Sequence, residues 1–178
     1  PSIELSHTLT DWGVKDTIKI HLTDDIIGLS GYQVTTNEEE PTDFITIENT
    51  LETTINYEVI ENNTYYVYAK DAYNHVSHKE IIIDKIDDQA PIIKSITNSS
   101  NGEWTNQEVN ITIDGEDKEM GISKYQVKYS KTGNIWIDLT DNTDTFTEDL
   151  NETVYYRIID KAGNISEEKS VDIKIDKT

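Results

Sequence analysis

Apolar and polar residues alternate along most of this chain. Clear examples are residues 18–22 and 109–113, in which every second side chain is Ile, Leu or Val. A period of two places successive side chains on opposite faces of an extended strand, and it is typical of strands with one buried face. No stretch shows the 3.6-residue period of an amphipathic helix. The pattern therefore predicts an all-β protein.

Strand positions follow from this alternation and from the turn residues that interrupt it. In the first half we predict strands near residues 2–8, 16–23, 29–36, 43–48, 52–57, 64–71 and 77–84. Turn-forming residues such as Gly28, Pro41 and Asn62 separate these segments. About seven short strands with turns every 8–12 residues are typical of a Greek-key β-sandwich of the immunoglobulin type.

The two halves of the chain repeat each other at a spacing of roughly 90 residues. Three pairs of segments match, at residues 28–34 and 121–127, 66–77 and 155–166, and 83–85 and 175–177. The sequence therefore predicts two tandem immunoglobulin-like domains, residues 1–88 and 89–178, of about seven strands each. Trp12 and Phe44 align with Trp104 and Trp136, and we expect these four rings to be the large pieces of the two cores.

Composition and charge exclude several classes of function. The chain has 35 acidic and 15 basic residues, with a formal net charge of -20. Nucleic acid is not an expected partner, because its phosphates demand a basic face. No run of about 18 apolar residues exists, so membrane insertion is not expected either. Hydrophobic residues make up only 35%, which is compatible with disorder, but their ordered alternation favours folded strands.

The repeat also resembles a known family. The segments that carry the resemblance are residues 104–113, the run Tyr-Tyr-Arg-Ile-Ile-Asp-Lys-Ala-Gly-Asn at 155–164, and Ile-Asp-Lys-Thr at 175–178. They resemble the tandem bacterial immunoglobulin-like repeats of secreted and cell-surface proteins of the Gram-positive type. The first half departs from this pattern at residues 73–75, where Tyr-Asn-His replaces Ala-Gly-Asn, so the geometry of that loop stays open.

The resemblance implies a non-enzymatic module of a larger extracellular protein, secreted or attached to the cell wall. Such a module acts as a spacer, a stalk or an adhesion unit, and its partners are other domains of the same polypeptide. No catalytic motif is visible in the sequence. The alternatives are a module that binds a cell-surface glycan or host protein, or an accessory domain of a secreted hydrolase. Candidate rings for glycan stacking are Tyr66, Tyr68, Tyr129, Tyr155 and Trp136.

Acidic residues cluster where the two predicted domains join. Asp84, Asp87 and Asp88 lie in the linker, and Asp117 and Asp160 lie in loops at the N-terminal end of the second domain. Because Ca²⁺ takes six to eight oxygen ligands, we expect these five carboxylates to bind calcium between the domains, with Glu116, Glu119 and Asn164 nearby. The alternative is that they form turns and keep the protein soluble.

Histidine offers one further metal hypothesis, because His75 and His78 are three residues apart. This spacing suits a zinc site at a strand end, although exposed polar histidines are equally compatible with it. Beyond calcium, no cofactor is expected.

Overall fold

The structure is a computed structural model that describes residues 1–118, 120–129 and 133–178. Within these residues the chain forms strands and no helix. It divides into two compact units, Pro1–Asp87 and Asp88–Thr178. Each unit is a β-sandwich of seven strands, so the predicted fold class is confirmed.

The first unit contains two antiparallel sheets, of three and four strands. Its strands are β1 (Ser2–His7), β2 (Asp16–Thr23), β3 (Leu29–Thr35), β4 (Ile45–Thr50), β5 (Glu52–Val59), β6 (Asn63–Asp71) and β7 (Val76–Ile83). One sheet has the order β1-β2-β5 and the other the order β4-β3-β6-β7. The fourth strand therefore pairs with the third rather than with the fifth.

The second unit repeats this topology. Its strands are β8 (Ile92–Asn98), β9 (Val109–Glu116), β10 (Ile122–Tyr129), β11 (Ile137–Asp138), β12 (Thr143–Phe146), β13 (Leu150–Asp160) and β14 (Lys169–Ile175). The sheet orders are β12-β9-β8 and β11-β10-β13-β14. The repeated sequence thus produces the same arrangement of strands twice.

Each core lies between its two sheets and consists mostly of aliphatic side chains. In β2, Ile18, Ile20 and Leu22 are completely buried, while the residues between them are at least partly exposed. In β13, Val154 and Ile158 are buried in the same way. The alternation in the sequence therefore corresponds to the burial of one strand face.

One buried aromatic residue joins the two sheets of the second unit. Tyr156 of β13 is fully buried, and its hydroxyl donates a 3.0 Å hydrogen bond to Asp144 of β12. A buried tyrosine requires such a partner for its hydroxyl. Burial raises the pKa of the Asp144 carboxyl, and the bond from Tyr156 opposes that change.

The chain crosses each unit from one end to the other. In the first unit, Ser2 pairs with Thr23 at the end that also holds the loop before Leu29. Ile83 pairs with Asn63 at the opposite end. In the second unit, β8 begins beside the end of β9, whereas β14 ends beside the start of β13. We call these the N-terminal and C-terminal ends of each unit.

The expectation that four large rings fill the cores is wrong. Trp104 lies outside the strands and is 58% exposed. Trp12, Phe44 and Trp136 are only half-buried. Phe44 and Trp136 lie beneath basic side chains, with the amine of Lys70 4.8 Å from the Phe44 ring centre. A cation held over a ring face favours such a position at the surface.

Candidate functional site at the loop ends

The loop after the second strand of each unit is closed by an aspartate. In the first unit, Oδ1 of Asp24 accepts hydrogen bonds from the backbone N–H groups of Ile26, Ile27 and Gly28, at 3.2, 2.8 and 3.1 Å. In the second unit, Oδ2 of Asp117 accepts the N–H groups of Met120 and Gly121, which correspond to Ile27 and Gly28, at 2.6 and 2.8 Å. Aspartate closes turns in this way because its short carboxylate reaches its own backbone.

The loop after the sixth strand is closed by a second aspartate in each unit. Oδ1 of Asp160 accepts the N–H groups of Gly163 and Asn164 at 2.7 and 2.9 Å, and its Oδ2 accepts the Asn164 amide at 2.9 Å. Asp160 is 1% exposed. Its carboxylate is therefore fixed by three hydrogen bonds from its own loop.

The corresponding loop of the first unit has nearly the same geometry despite its different sequence. Oδ1 of Asp71 accepts the N–H groups of Tyr73 and His75 at 2.8 and 3.0 Å, and Oδ2 lies 2.8 Å from Nδ1 of His75. Asn74, with a φ of 64°, occupies the left-handed position that Gly163 holds with a φ of 96°. Asparagine tolerates this conformation better than most residues. The imidazole of His75 replaces the amide of Asn164.

These hydrogen bonds shift the acidity of two aspartates in the first unit. The N–H groups of Ile27 and Gly28 hold the pKa of Asp24 far below its ordinary value. Burial alone would raise the pKa of Asp71, but the bonds from His75 and Tyr73 outweigh it and lower the pKa. Both carboxylates are therefore stabilised in the ionised form.

The five carboxylates predicted to bind calcium occupy different environments. Asp84 and Asp88 are exposed, and Oδ1 of Asp88 accepts a 2.6 Å hydrogen bond from the Gln89 side chain. Asp87 is 3% exposed. Within the second unit, the structure brings a carboxylate oxygen of Asp117 within 4.8 Å of one from Asp160. Glu119 lies outside the described residues.

The pair formed by Asp117 and Asp160 has the oxygen chemistry that calcium prefers, but both groups already accept backbone hydrogen bonds. A calcium ion would need further oxygens to complete six to eight ligands. The closure of the loops explains why aspartate occupies these positions without any ion. Calcium binding by the five aspartates therefore stays a prediction.

The two histidines proposed for zinc point to different partners. His75 contacts Asp71, whereas the ring of His78 stacks on Tyr68 with 5.2 Å between ring centres. Within the described part of the chain, neither belongs to a group of three metal-ligating side chains. The geometry assigns His75 to loop closure.

Most of the rings proposed for glycan stacking are engaged within their own sheet. Tyr68 is 2% exposed. In the second unit, the Lys128 amine lies 4.6 Å from the Trp136 ring centre and 4.9 Å from that of Tyr155. The Arg157 guanidinium lies 4.2 Å from the Trp136 centre. The two contacts of Trp136, the residue before β11, hold that edge strand against β10 and β13.

Several solved structures are similar to this chain. No protein-family model and no curated protein sequence matches the chain. Among solved structures, it is similar to the fibronectin(III)-like modules of Clostridium thermocellum CbhA, with 12% identity over 97% of this chain and 94% of that one, and a TM-score of 0.43. It is also similar to murine CEACAM1b, with 8% identity over 98% and 100% of the two chains and a TM-score of 0.42.

A third similar structure is the two-domain fibronectin type III segment of chicken tenascin. Its identity is 14% over 97% of each chain, with a TM-score of 0.35. The sandwich fold of the present chain rests on its own strand pairing. None of the described residues forms a helix that could cross a membrane.

We predict that Asp71→Asn lowers the Tm of the first unit at pH 7. The ordinary pKa of Asp71 is 3.8 and its folded pKa is lower, so its contribution to stability is complete above about pH 4 and is lost as the pH falls through the folded pKa. The difference in Tm between variant and wild type should therefore narrow below about pH 4. Calorimetry across pH, with Asp25→Asn as an exposed control, measures this. A difference that stays constant down to pH 2 contradicts the assignment.

We predict that calcium raises the Tm of the full chain in calorimetry. Binding to the folded state alone stabilises it by mass action, and extracellular modules bind calcium with dissociation constants on the order of 10⁻⁴–10⁻³ M. Asp160→Asn should remove the calcium-dependent part of the Tm, whereas Asp25→Asn should keep it. Identical Tm values in a chelator and in millimolar calcium would show that the aspartates serve only to close loops.

Proposed function

We propose that this chain is a non-enzymatic spacer or adhesion module of a larger extracellular bacterial protein, secreted or attached to the cell wall. The observation that carries the proposal is the path of the chain. In the first unit, β1 begins at one end of the sandwich and β7 finishes at the other. In the second unit, β8 and β14 do the same. A module of this kind separates whatever is attached to its two termini.

The length of the strands sets the distance that one unit provides. β6 has 9 residues and β13 has 11 residues. At about 3.3 Å per residue, these strands are roughly 30 and 35 Å long. A domain fused to either terminus of a unit is therefore kept about one strand length from a domain fused to the other.

The C-terminal segment of each unit is tied to the body of the sandwich, as a spacer requires. The segment after β1 forms a parallel bridge between Gly13 and Ile86, and the segment after β8 forms one between Thr105 and Ile175. Each bridge contributes two backbone hydrogen bonds, of 3.1 and 2.9 Å in the first unit and 3.2 and 2.9 Å in the second. The C-terminal segment of each unit is thus tied to the connection between its first two strands.

The surface chemistry suits a module surrounded by water. The net charge of -20 opposes self-association and contact with anionic surfaces. The partners that we propose are other domains of the same polypeptide.

The proposal is tested by displaying a binding reporter on Gram-positive cells, with the chain inserted between the wall anchor and the reporter. We expect the chain to restore capture of micrometre-sized beads that a direct fusion cannot reach. A Gly/Ser linker of about 20 residues, with a mean span of about 25 Å, should restore less. Equal capture with and without the chain contradicts a spacer. Cells that display the chain alone and bind glycan-coated beads would favour adhesion.

A further inference from the structure

The two units end differently, although their sequences repeat. In the second unit, the β13–β14 ladder continues to Leu150 and Ile175, and Ile175 also forms the parallel bridge with Thr105. In the first unit, the β6–β7 ladder stops at Ile83. The bridge to Gly13 is formed by Ile86, three residues later. In the structure, Ile175 therefore corresponds to Ile86, which forms the bridge, although in the sequence it matches Ile83.

The side chain of Asn62 replaces the strand that is missing beside Ile86. Its Oδ1 accepts the Ile86 N–H at 2.7 Å, and its Nδ2 donates to the Ile86 carbonyl at 2.7 Å. This is the pair of bonds that a neighbouring strand would make. On the other side, the Lys85 carbonyl and the Asp87 N–H bond to Gly13.

Hydrogen bonds therefore satisfy the N–H and carbonyl of Ile86, the carbonyl of Lys85 and the N–H of Asp87. A buried segment requires such partners for its backbone. The side chain of Ile86 is 5% exposed and belongs to the core of the first unit. A short segment outside the regular ladder is thus held in the sandwich by one asparagine and one glycine.

The second unit shows what this asparagine replaces. There the main chain of Leu150 pairs with Ile175, and no side chain is needed at this position. The nearby Asp149 only accepts the N–H of Lys177, at 2.8 Å. A carboxylate cannot also donate a hydrogen bond, so the two-bond arrangement of Asn62 is specific to the first unit.

We propose that Asn62 is a latch that sets where the first unit ends. When it is closed, residues 84–87 belong to the sandwich. When it opens, these four residues join the chain that follows the unit and lengthen it by about 13 Å, at about 3.3 Å per residue. This inference rests on the proposed spacer function, because it assigns to one side chain the control of the length that the unit provides.

The latch should open locally, without unfolding the unit. The two hydrogen bonds between Asn62 and Ile86 add to the hold of Gly13 and of the buried Ile86 side chain on this segment. Loss of such a pair shifts a local equilibrium by about 10- to 100-fold. The regular strands of the unit keep their backbone pairing when this segment opens, since central strands such as β2 and β6 each pair with two neighbours. Opening therefore exposes the amides of Ile86 and Asp87 but not those of the central strands.

The test is amide hydrogen exchange measured by NMR on the full chain. Asn62→Ala should raise the exchange rates of Ile86 and Asp87 about 10- to 100-fold, while rates in β2 and throughout the second unit stay within about threefold. The matched control is Asn63→Ala, since the Asn63 side chain accepts the N–H of the adjacent Thr64, whereas Asn62 bonds to Ile86. This control should leave Ile86 and Asp87 protected.

Two results overturn the latch. One is unchanged exchange at Ile86 and Asp87 in Asn62→Ala, and the other is an equal rise in β2, which means that the whole unit opens. If Asn62→Ala does not fold, Asn62→Asp answers the same question, because it keeps the acceptor and removes the donor. Its expected effect is a smaller rise confined to the same two amides. The result of the cell-display experiment does not affect the hydrogen-exchange result. The spacer proposal and the latch proposal can therefore fail independently.

Discussion

Most strands of this protein bury only one face, and the remainder of the structure depends on that constraint. Two sheets with one apolar face each enclose a thin core, in which Ile20 and Ile113 are completely buried. Such a core fixes the strands but leaves the backbone at the strand ends without partners. Short polar side chains supply those partners. Asp24, Asp71 and their counterparts in the second unit close the loops, and Asn62 holds the last segment.

In this arrangement, part of the negative charge of the chain has a specific structural role. A net charge of -20 suggests a surface property that keeps the molecule soluble. Four of the aspartates, however, are fixed by backbone N–H groups at the N-terminal ends of the units. Asp71 and Asp160 are almost completely buried. Hydrogen bonds from their own loops stabilise the charges of these two aspartates. Loop closure is therefore sufficient to explain why aspartate occupies both positions.

The strands could be predicted from the sequence because the period-two pattern is a local property. Residues 16–23 were predicted as a strand, and β2 has the same bounds. The positions of the aromatic rings could not be predicted in this way. Trp136 is apolar enough for a core, but Lys128 and Arg157 stack on it at the surface. Only the three-dimensional pairing of β10, β11 and β13 brings these side chains together.

The loops show a second limit of prediction from the sequence, because different residues produce the same loop geometry. Tyr73-Asn74-His75 does not resemble Ala162-Gly163-Asn164, yet both loops are closed by an aspartate and contain a left-handed residue at the same position. The contact between Asn62 and Ile86 was equally invisible, because it joins residues that are 24 positions apart. A side chain that replaces a strand leaves no periodic signal.

The spacer function requires that the chain crosses each unit from end to end. The sequence contains no cysteine, so spin labels at Ser2→Cys with Asp84→Cys, or at Ile92→Cys with Asp176→Cys, report single distances within each unit by pulsed electron resonance. We expect narrow distributions near 25–35 Å for both pairs, and a much shorter distance for Ser2→Cys with Asp25→Cys. End-to-end distances as short as that same-end pair would contradict it.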